Sequence, residues 1–175
     1  MKKLALFAVL LTLTAASFAI AQETHHWGGA GTPAALAPLA KLEGTWIGKA
    51  GDGTHEMDAT VTYKVTANGS AVIETLFPGT DHEMVTMYTV DKGTLVLTHY
   101  CSAGNQPHMK ARAGGDGKEI TFDFAGGANI NPSKDQFMHD ARMVFVDDDH
   151  LRTEWGDWNG GKASVRRTFE LTRQK

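Results

Sequence analysis

The sequence predicts an all-β protein, an antiparallel up-and-down β-barrel of about ten strands preceded by a short helical segment. Apolar and polar residues alternate along successive short segments, and turn-forming residues separate these segments. From Met57 to Val65, for example, every second residue is apolar, which is the period of a half-buried strand. Asn68-Gly69 follows directly, and this pair between strands predicts a tight type I′ hairpin turn.

Ten segments show the strand pattern, and most of the connections between them are too short for a crossover helix. The segments are 44–50, 55–66, 71–77, 83–91, 94–101, 108–113, 119–125, 137–147, 150–156 and 163–173. An open sheet of sequential hairpins exposes two edges, and closure into a barrel removes both. A β-sandwich is the alternative architecture. Because a barrel of this size is wider than its own side chains readily fill, we expect an internal cavity for a small ligand.

The first 21 residues are typical of a cleavable signal peptide. Lys2 and Lys3 precede an apolar run from Leu4 to Ala16, and Ala19-Ile20-Ala21 is the pattern that signal peptidases cleave. We therefore expect the mature chain to begin at Gln22 and to work in the periplasm or outside the cell. No later stretch reaches the roughly 18 apolar residues that span a bilayer, so we expect no membrane span.

The rest of the chain is long enough for a single domain with its own core. Residues 22–33 are expected to form a flexible mature N-terminus, and 34–175 the barrel domain, whose first residues form a short helix limited by Pro38. The formal charge of −3 becomes −5 without the two lysines of the signal peptide, and the remaining basic residues are scattered. This argues against nucleic acid as a partner. Cys101 is the only cysteine, so no internal disulfide forms.

Gly44-Thr45-Trp46 resembles the opening of the first strand in the calycin superfamily, which comprises lipocalin, fatty-acid-binding and nitrobindin-like barrels. In that superfamily, a basic residue of the last strand covers the Trp of a Gly-x-Trp motif. The resemblance therefore implies that Trp46 plugs one end of the barrel beneath a basic residue that makes a cation–π contact. Arg167 and Arg173 are the two candidates for this role.

Three further segments are similar to a group of short secreted bacterial lipocalin-like proteins. They are 77–80, 99–109 and 129–135, and the resemblance extends over about the whole mature chain. It implies a ligand-binding barrel. Ten strands rather than eight favour the fatty-acid-binding or nitrobindin side of the superfamily.

Arg167 is the residue on which the chemistry of the cavity most depends. It alternates in phase with Val165, Phe169 and Leu171, which turns its guanidinium inward, where a charge requires an anionic partner. In fatty-acid-binding barrels, an inward Arg followed two residues later by an aromatic residue binds the ligand carboxylate. Arg167-x-Phe169 has this spacing, with Phe in place of the usual Tyr. The alternative role is structural, as an ion pair with an internal acid or a cap over Trp46.

His139 alternates with a set of apolar residues on the eighth predicted strand and is therefore expected to face the interior. These residues are Phe137, Ala141, Met143 and Phe145. A neutral imidazole at this position would be an axial haem ligand, as the nitrobindin resemblance implies, or a core histidine, which we favour. The predicted ligand-binding residues are Trp46, Phe137, His139, Met143, Arg167 and Phe169.

His99, Cys101 and His108 are the candidate ligands for a transition metal. His99 and Cys101 are two residues apart and share one face of a strand, and His108 is expected across the following turn. Imidazole and thiolate are common zinc ligands. We favour the alternative, a buried thiol beside histidines that are bonded to the backbone.

The sequence thus predicts an exported protein that binds a small, apolar or amphipathic molecule in a barrel cavity. It contains no motif of a hydrolase, metalloprotease or nucleotide-binding enzyme, so we do not favour an enzyme. One alternative is a haem- or metal-binding barrel with redox or isomerase activity. Another is an envelope protein that acts through an interaction surface. The sequence does not identify the ligand or the oligomeric state.

Overall fold

The computed structural model describes residues 31–113 and 117–175, so the predicted signal peptide and residues 22–30 lie outside the described part of the chain. A short helix, α1 (Ala37–Ala40), precedes ten strands. The strands are β1 (Gly44–Gly51), β2 (Glu56–Thr66), β3 (Ala71–Leu76), β4 (Met84–Asp91), β5 (Thr94–Tyr100), β6 (Gln106–Ala111), β7 (Glu119–Ala128), β8 (Gln136–Phe145), β9 (His150–Asn159) and β10 (Lys162–Arg173). No helix in these ranges is long and apolar enough to cross a membrane.

The ten strands form a closed antiparallel barrel. Each strand pairs with its neighbours in the sequence, and β1 closes the sheet by pairing with both β2 and β10. The predicted ten-stranded barrel is therefore confirmed, and the β-sandwich alternative is wrong. Closure leaves the sheet without an edge on which another strand can be added.

Three strands extend two or three residues beyond the bounds that the alternation suggested. β6 begins at Gln106 rather than at residue 108, while β7 extends to Ala128 and β9 to Asn159. The sheet pairing explains these extensions, because Gln106 lies opposite Ala128 and Asn159 lies opposite both Gln136 and Lys162. Such pairing continues a strand through residues whose sequence is typical of a turn.

The connection between β2 and β3 is longer than the predicted type I′ turn. Thr66 pairs with Ala71, which leaves the four residues 67–70 in the loop. Ala67 and Asn68 have φ angles of 49° and 54°, so the chain turns through a left-handed segment that begins one residue before the Asn-Gly pair. The hairpin was predicted correctly, but its turn type was not.

Trp46 and α1 close one end of the barrel. Trp46 is completely buried, and its indole N–H donates to the carbonyl oxygen of Leu42 at 2.8 Å. The guanidinium carbon of Arg173 lies 4.3 Å from the centroid of the Trp46 ring. The same guanidinium donates to three backbone carbonyl oxygens, those of Lys41, Glu43 and Asp148. Arg173 rather than Arg167 is thus the residue that covers Trp46.

The half of the barrel next to Trp46 is filled by apolar side chains. This closed half includes Val61, Val72, Leu97, Phe122, Met143, Leu151 and Leu171, all of which are buried. Met143 was predicted to bind ligand, but it packs in this core and does not line a cavity. Trp46 is likewise a core residue here. The cavity of the barrel lies toward the opposite end, which we call the open half.

A β-bulge in β8 changes which of its side chains face inward. The pairing passes from Met138 opposite Asp157 to Asp140 opposite Gly156, so His139 is an extra residue in the strand. A Cβ atom at position 156 would overlap the carboxylate of Asp140, so a larger residue there would have to displace that side chain. His139, which was predicted to face the interior, is the extra residue of this bulge, and strict alternation does not hold across it. Met138 lines the interior in its place.

Candidate functional site

A cavity of about 560 Å³ occupies the open half of the barrel, within the size range of small-molecule sites. Its wall is mostly apolar and is formed by Leu76, Phe77, Met84, Phe137, Met138, Trp155 and Phe169. Polar side chains interrupt this wall at His99, Cys101, Gln136, Asp157 and Arg167. Near the opening, the connections after β1 and β3 add Asp52, His55 and His82. The result is an apolar chamber with a charged entrance.

Arg167 and Phe169 both line the cavity, as the alternation along β10 predicts. Phe169 is buried, and its ring centroid lies 5.8 Å from that of Phe77. Arg167 is exposed and lies opposite Trp155 in the sheet. Its neighbour Arg166 pairs with carboxylates on the outer surface, whereas no carboxylate of the described residues pairs with Arg167. Among the described residues, Arg167 therefore makes no internal ion pair, and Arg173 takes the place over Trp46.

His99 lies on β5 and is only 2% exposed. Burial lowers the pKa of its imidazole to about 4, so the ring is neutral at pH 7. Its Nδ1 lies 2.9 Å from Oγ1 of Thr86, while its Nε2 has no hydrogen-bond partner. The ring centroid is 5.0 Å from that of Trp155, whose indole N–H is also buried without a partner. The cavity wall thus contains Nε2 of a neutral His99 ring, which can accept or donate a hydrogen bond, beside the indole N–H of Trp155, which has no acceptor among the described residues.

Glu74 is a carboxyl group within the barrel interior that the sequence analysis missed. It is 1% exposed and accepts hydrogen bonds from the hydroxyls of Tyr63 at 2.7 Å and Tyr88 at 2.9 Å. Burial raises the pKa of Glu74, and hydrogen bonds from these two residues and from Thr86 oppose the rise. Burial and the adjacent carboxyl group raise the pKa of both tyrosines well above the usual value.

A signal for this cluster was present in the sequence. Glu74 alternates in phase with Val72 and Leu76, so a carboxyl group occupies an inward position of an apolar strand. Tyr63 and Tyr88 occupy inward positions of the strands on either side. A buried acid requires donors, and tyrosine hydroxyls on adjacent strands are suitable ones.

Asp157 and Gln136 form a second polar group near the opening. Asp157 is buried, and its Oδ2 accepts a hydrogen bond from Nε2 of Gln136 at 2.8 Å, while its Oδ1 has no partner. The amide of Asn105 donates to the carbonyl oxygen of Gln136 at 2.7 Å. These bonds join the start of β8 to the end of β9 and to the β5–β6 connection. The sequence analysis did not identify this group.

The predicted metal ligands are not brought together. His99 and Cys101 both line the cavity, and Cys101 is a free thiol. His108, however, lies opposite Thr98 rather than Cys101 and is exposed on the outer surface. In the described ranges, no group of three His, Cys, Asp or Glu side chains is arranged to hold a metal ion. The prediction of a three-residue site is wrong because the β5–β6 pairing turns His108 away.

His139 lies outside the cavity, in a second and smaller groove of about 280 Å³. Its ring stacks between those of Trp158 at 4.3 Å and Phe124 at 5.3 Å, measured between centroids. The indole N–H of Trp158 donates to the carbonyl oxygen of Pro132 at 3.0 Å. Phe137 borders both the groove and the cavity. His139 therefore cannot act on a ligand in the cavity from its present position.

These features define a class of protein, a closed ten-stranded antiparallel barrel with a ligand-sized cavity open at one end. No protein-family model matches the chain. No curated protein matches it either. Rv2717c from M. tuberculosis has a similar structure, with a TM-score of 0.54 and 17% identity over 82% of this chain and 99% of that one. This likeness shows the shared fold.

A second similar structure is that of a protein with unknown function from the DUF3598 family of Nostoc punctiforme. Its TM-score is 0.51 and its identity 10%, over 78% of this chain and 49% of that chain. The match thus corresponds to about half of the Nostoc protein. At this identity it too shows the fold alone.

Proposed function

We propose that this protein is an exported binding protein of the calycin type that holds a small amphipathic acid in its barrel cavity. The observation that carries this proposal is the guanidinium of Arg167, which lines a mostly apolar cavity and has no carboxylate partner among the described residues. The apolar wall favours a hydrocarbon body, since burial of apolar surface stabilises by roughly 25 cal/mol per Å². Arg167 supplies a cation for the acid group.

The orientation of the ligand follows from the two ends of the barrel. The closed half is filled by Trp46, α1 and the core, so a ligand enters through the open half. Its apolar body lies against Leu76 and Phe169, and its acid group stays beside the exposed Arg167, where water also reaches it. Phe169 has no hydroxyl, so recognition of the acid by β10 depends on Arg167 alone.

The experiment is a titration with a fluorescent fatty-acid probe. We expect the unsubstituted protein to bind the probe and Arg167→Leu to weaken binding about tenfold, the lower part of the range for a charged hydrogen bond because Arg167 is exposed. Arg166→Leu is the matched control, since Arg166 pairs with Asp140 and Glu154 on the outer surface. Equal affinities of the two variants would contradict the role of Arg167, and absence of any binding would contradict the proposal itself.

The second candidate function is haem or metal binding, with redox or isomerase activity. His99 favours it, because neutral imidazole is a common metal and haem ligand and its Nε2 has no partner. His139, the residue that the nitrobindin resemblance implies, does not fit, because it lies in the outer groove. Reconstitution with haem would decide: a Soret band lost in His99→Phe and kept in His139→Phe supports this function, and absence of the band rejects haem.

Export is the remaining part of the proposal and rests on residues 1–21. We predict that protein recovered from the periplasm or the medium begins at Gln22, because Ala19-Ile20-Ala21 is the best cleavage pattern. Intact-mass measurement tests this. Ala19→Leu, which breaks the small-x-small pattern, should leave the uncleaved precursor. A full-length mass from the unsubstituted protein would contradict cleavage.

A further inference from the structure

We propose that the cavity contains a subsite for a hydroxyl group of the ligand, formed by Nε2 of His99 and the indole N–H of Trp155. We further infer that Glu74, acting through Thr86, determines which of these two atoms accepts and which donates. This inference rests on the proposed binding function and narrows the ligand class to amphipathic acids that also carry a hydroxyl group.

Four inward side chains form a continuous row across neighbouring strands. Tyr63 lies opposite Glu74, Glu74 opposite Thr86, and Thr86 opposite His99. Hydrogen bonds connect the members of this row, and Tyr88 adds a further bond to Glu74. The protonation of Glu74 is thereby linked to the imidazole in the cavity wall.

The two tyrosine hydroxyls of this row donate to Glu74, and we place the proton of Thr86 on the same carboxyl group. Tyr63 donates to Oε1 at 2.7 Å and Tyr88 to Oε2 at 2.9 Å, and the hydroxyl of Thr86 is the third group that bonds this carboxyl. Burial raises the pKa of Glu74, but a site with three hydroxyl donors is built for a carboxylate, which has no proton to return. With Glu74 as the carboxylate, all three hydroxyl groups act as donors.

The proton on His99 follows from this arrangement. A hydroxyl has a single proton, and that of Thr86 is used toward Glu74. The 2.9 Å contact between Oγ1 of Thr86 and Nδ1 of His99 therefore requires the proton on Nδ1. Because burial keeps the ring neutral, Nε2 then carries a lone pair and acts only as an acceptor.

Nε2 of His99 and Nε1 of Trp155 complement each other. Both are buried and unpaired, and the two rings lie 5.0 Å apart between centroids in the cavity wall. A ligand hydroxyl can donate to Nε2 and accept from the indole N–H, which pairs both atoms. A carbonyl or carboxylate oxygen can pair only with Trp155. Since an unpaired buried polar atom costs free energy, a hydroxyl is preferred over groups without a donor.

The first test measures the His99 tautomer by nitrogen-15 NMR in the full protein without ligand. We expect the proton on Nδ1. In Glu74→Gln the amide donates to Thr86, so Thr86 donates to Nδ1 and the ring proton moves to Nε2. Thr86→Val is the second variant and should remove the preference for one tautomer. Glu119→Gln, which alters a surface pair with Arg142, should change nothing. A proton on Nε2 in the unsubstituted protein overturns the inference.

The second test compares three fluorescent ligands: a hydroxynaphthoic acid with its hydroxyl distant from the acid group, its methyl ether, and the parent naphthoic acid. We expect the hydroxy acid to bind about tenfold more tightly than the other two, the scale of one hydrogen bond to a shielded group. His99→Phe should abolish this preference while keeping affinity for the parent acid. His139→Phe, in the outer groove, should keep the preference.

The outcomes separate this inference from the proposed function. Equal binding of all three acids, still weakened by Arg167→Leu, would overturn the hydroxyl subsite and leave the proposed function standing. Failure of all three acids while the fatty-acid probe binds would overturn the hydroxyl subsite alone. Failure of the three acids and of the fatty-acid probe would overturn both, even with the expected His99 tautomer. Stoichiometric haem binding through His99 would also overturn the hydroxyl subsite, because Nε2 would then be a metal ligand.

Discussion

In each half of the barrel, an arginine of β10 lies opposite a buried tryptophan, but the two pairs make different contacts. On β10, Arg173 lies opposite Trp46 in the closed half, and Arg167 lies opposite Trp155 in the open half. The indole N–H of Trp46 is bonded and its ring is covered by Arg173, whereas the indole N–H of Trp155 is unpaired and Arg167 has no carboxylate partner among the described residues. The polar groups of Trp46 and Arg173 thus have partners within the protein, whereas those of Trp155 and Arg167 lack them among the described residues.

The distribution of unpaired atoms extends this contrast. Four buried side-chain atoms in the described ranges lack a hydrogen-bond partner, and they belong to Asn105, His99, Trp155 and Asp157. All four residues are in the open half. Because folded proteins pair nearly all their buried polar groups, unpaired groups gathered in one region are expected where the proposed ligand would bind.

Removal of Trp46 should give the largest effect. We expect Trp46→Ala to lower the free energy of unfolding by about 3–5 kcal/mol, because it leaves a cavity where a large aromatic ring was completely buried. Urea denaturation followed by circular dichroism measures this loss. A change below about 1 kcal/mol would show that Trp46 does not hold the closed half together.

The pH dependence of stability tests the neutral state of His99. Its pKa is lowered from 6.5 to about 4, so between these values the unfolded chain binds more protons and stability rises with pH. We expect the free energy of unfolding to fall by about 3 kcal/mol as the pH falls from 6.5 to about 4. Because the pKa of Glu74 is raised, its own contribution to stability falls as the pH rises above 4.5. This contribution is the same with and without the His99 imidazole.

The comparison is between the unsubstituted protein and His99→Phe, which keeps an apolar ring but does not titrate. The variant should lose much less stability between pH 6.5 and pH 4. His150→Phe is the control, since His150 is exposed. Parallel stability curves for the unsubstituted protein and His99→Phe would show that His99 is not held neutral by burial.

Arg167 and Arg173 of β10 should differ in their contribution to stability, and this difference should be smaller than the effects above. Arg173→Leu removes a cation–π contact and three hydrogen bonds to carbonyl oxygens, and we expect a loss of about 2 kcal/mol in the free energy of unfolding. Arg167→Leu should change it by less than about 0.5 kcal/mol, because the guanidinium is exposed and has no carboxylate partner among the described residues. Thermal unfolding of both variants measures the difference. A strongly destabilised Arg167→Leu would mean that Arg167 is structural.

Much of the candidate site followed from alternation, and the exceptions have physical causes. Arg167 and Phe169 line the cavity as predicted, because β10 keeps regular alternation from Arg166 onward. His139 does not, because the bulge adds a residue to β8. His108 faces outward because β6 begins earlier than predicted and pairs with β5 at Thr98. A one-residue shift reverses the facing side of a strand residue.

The sequence by itself determined the strand pattern, the short first helix and the closed antiparallel barrel. These depend on the two-residue period and on short connections, both of which are local properties of the chain. Only the tertiary structure decided which polar groups meet. Glu74, Thr86 and His99 are 12 or more residues apart from one strand to the next, yet they lie at facing positions in the sheet. Their contact depends on strand register, which packing and pairing set across the whole barrel.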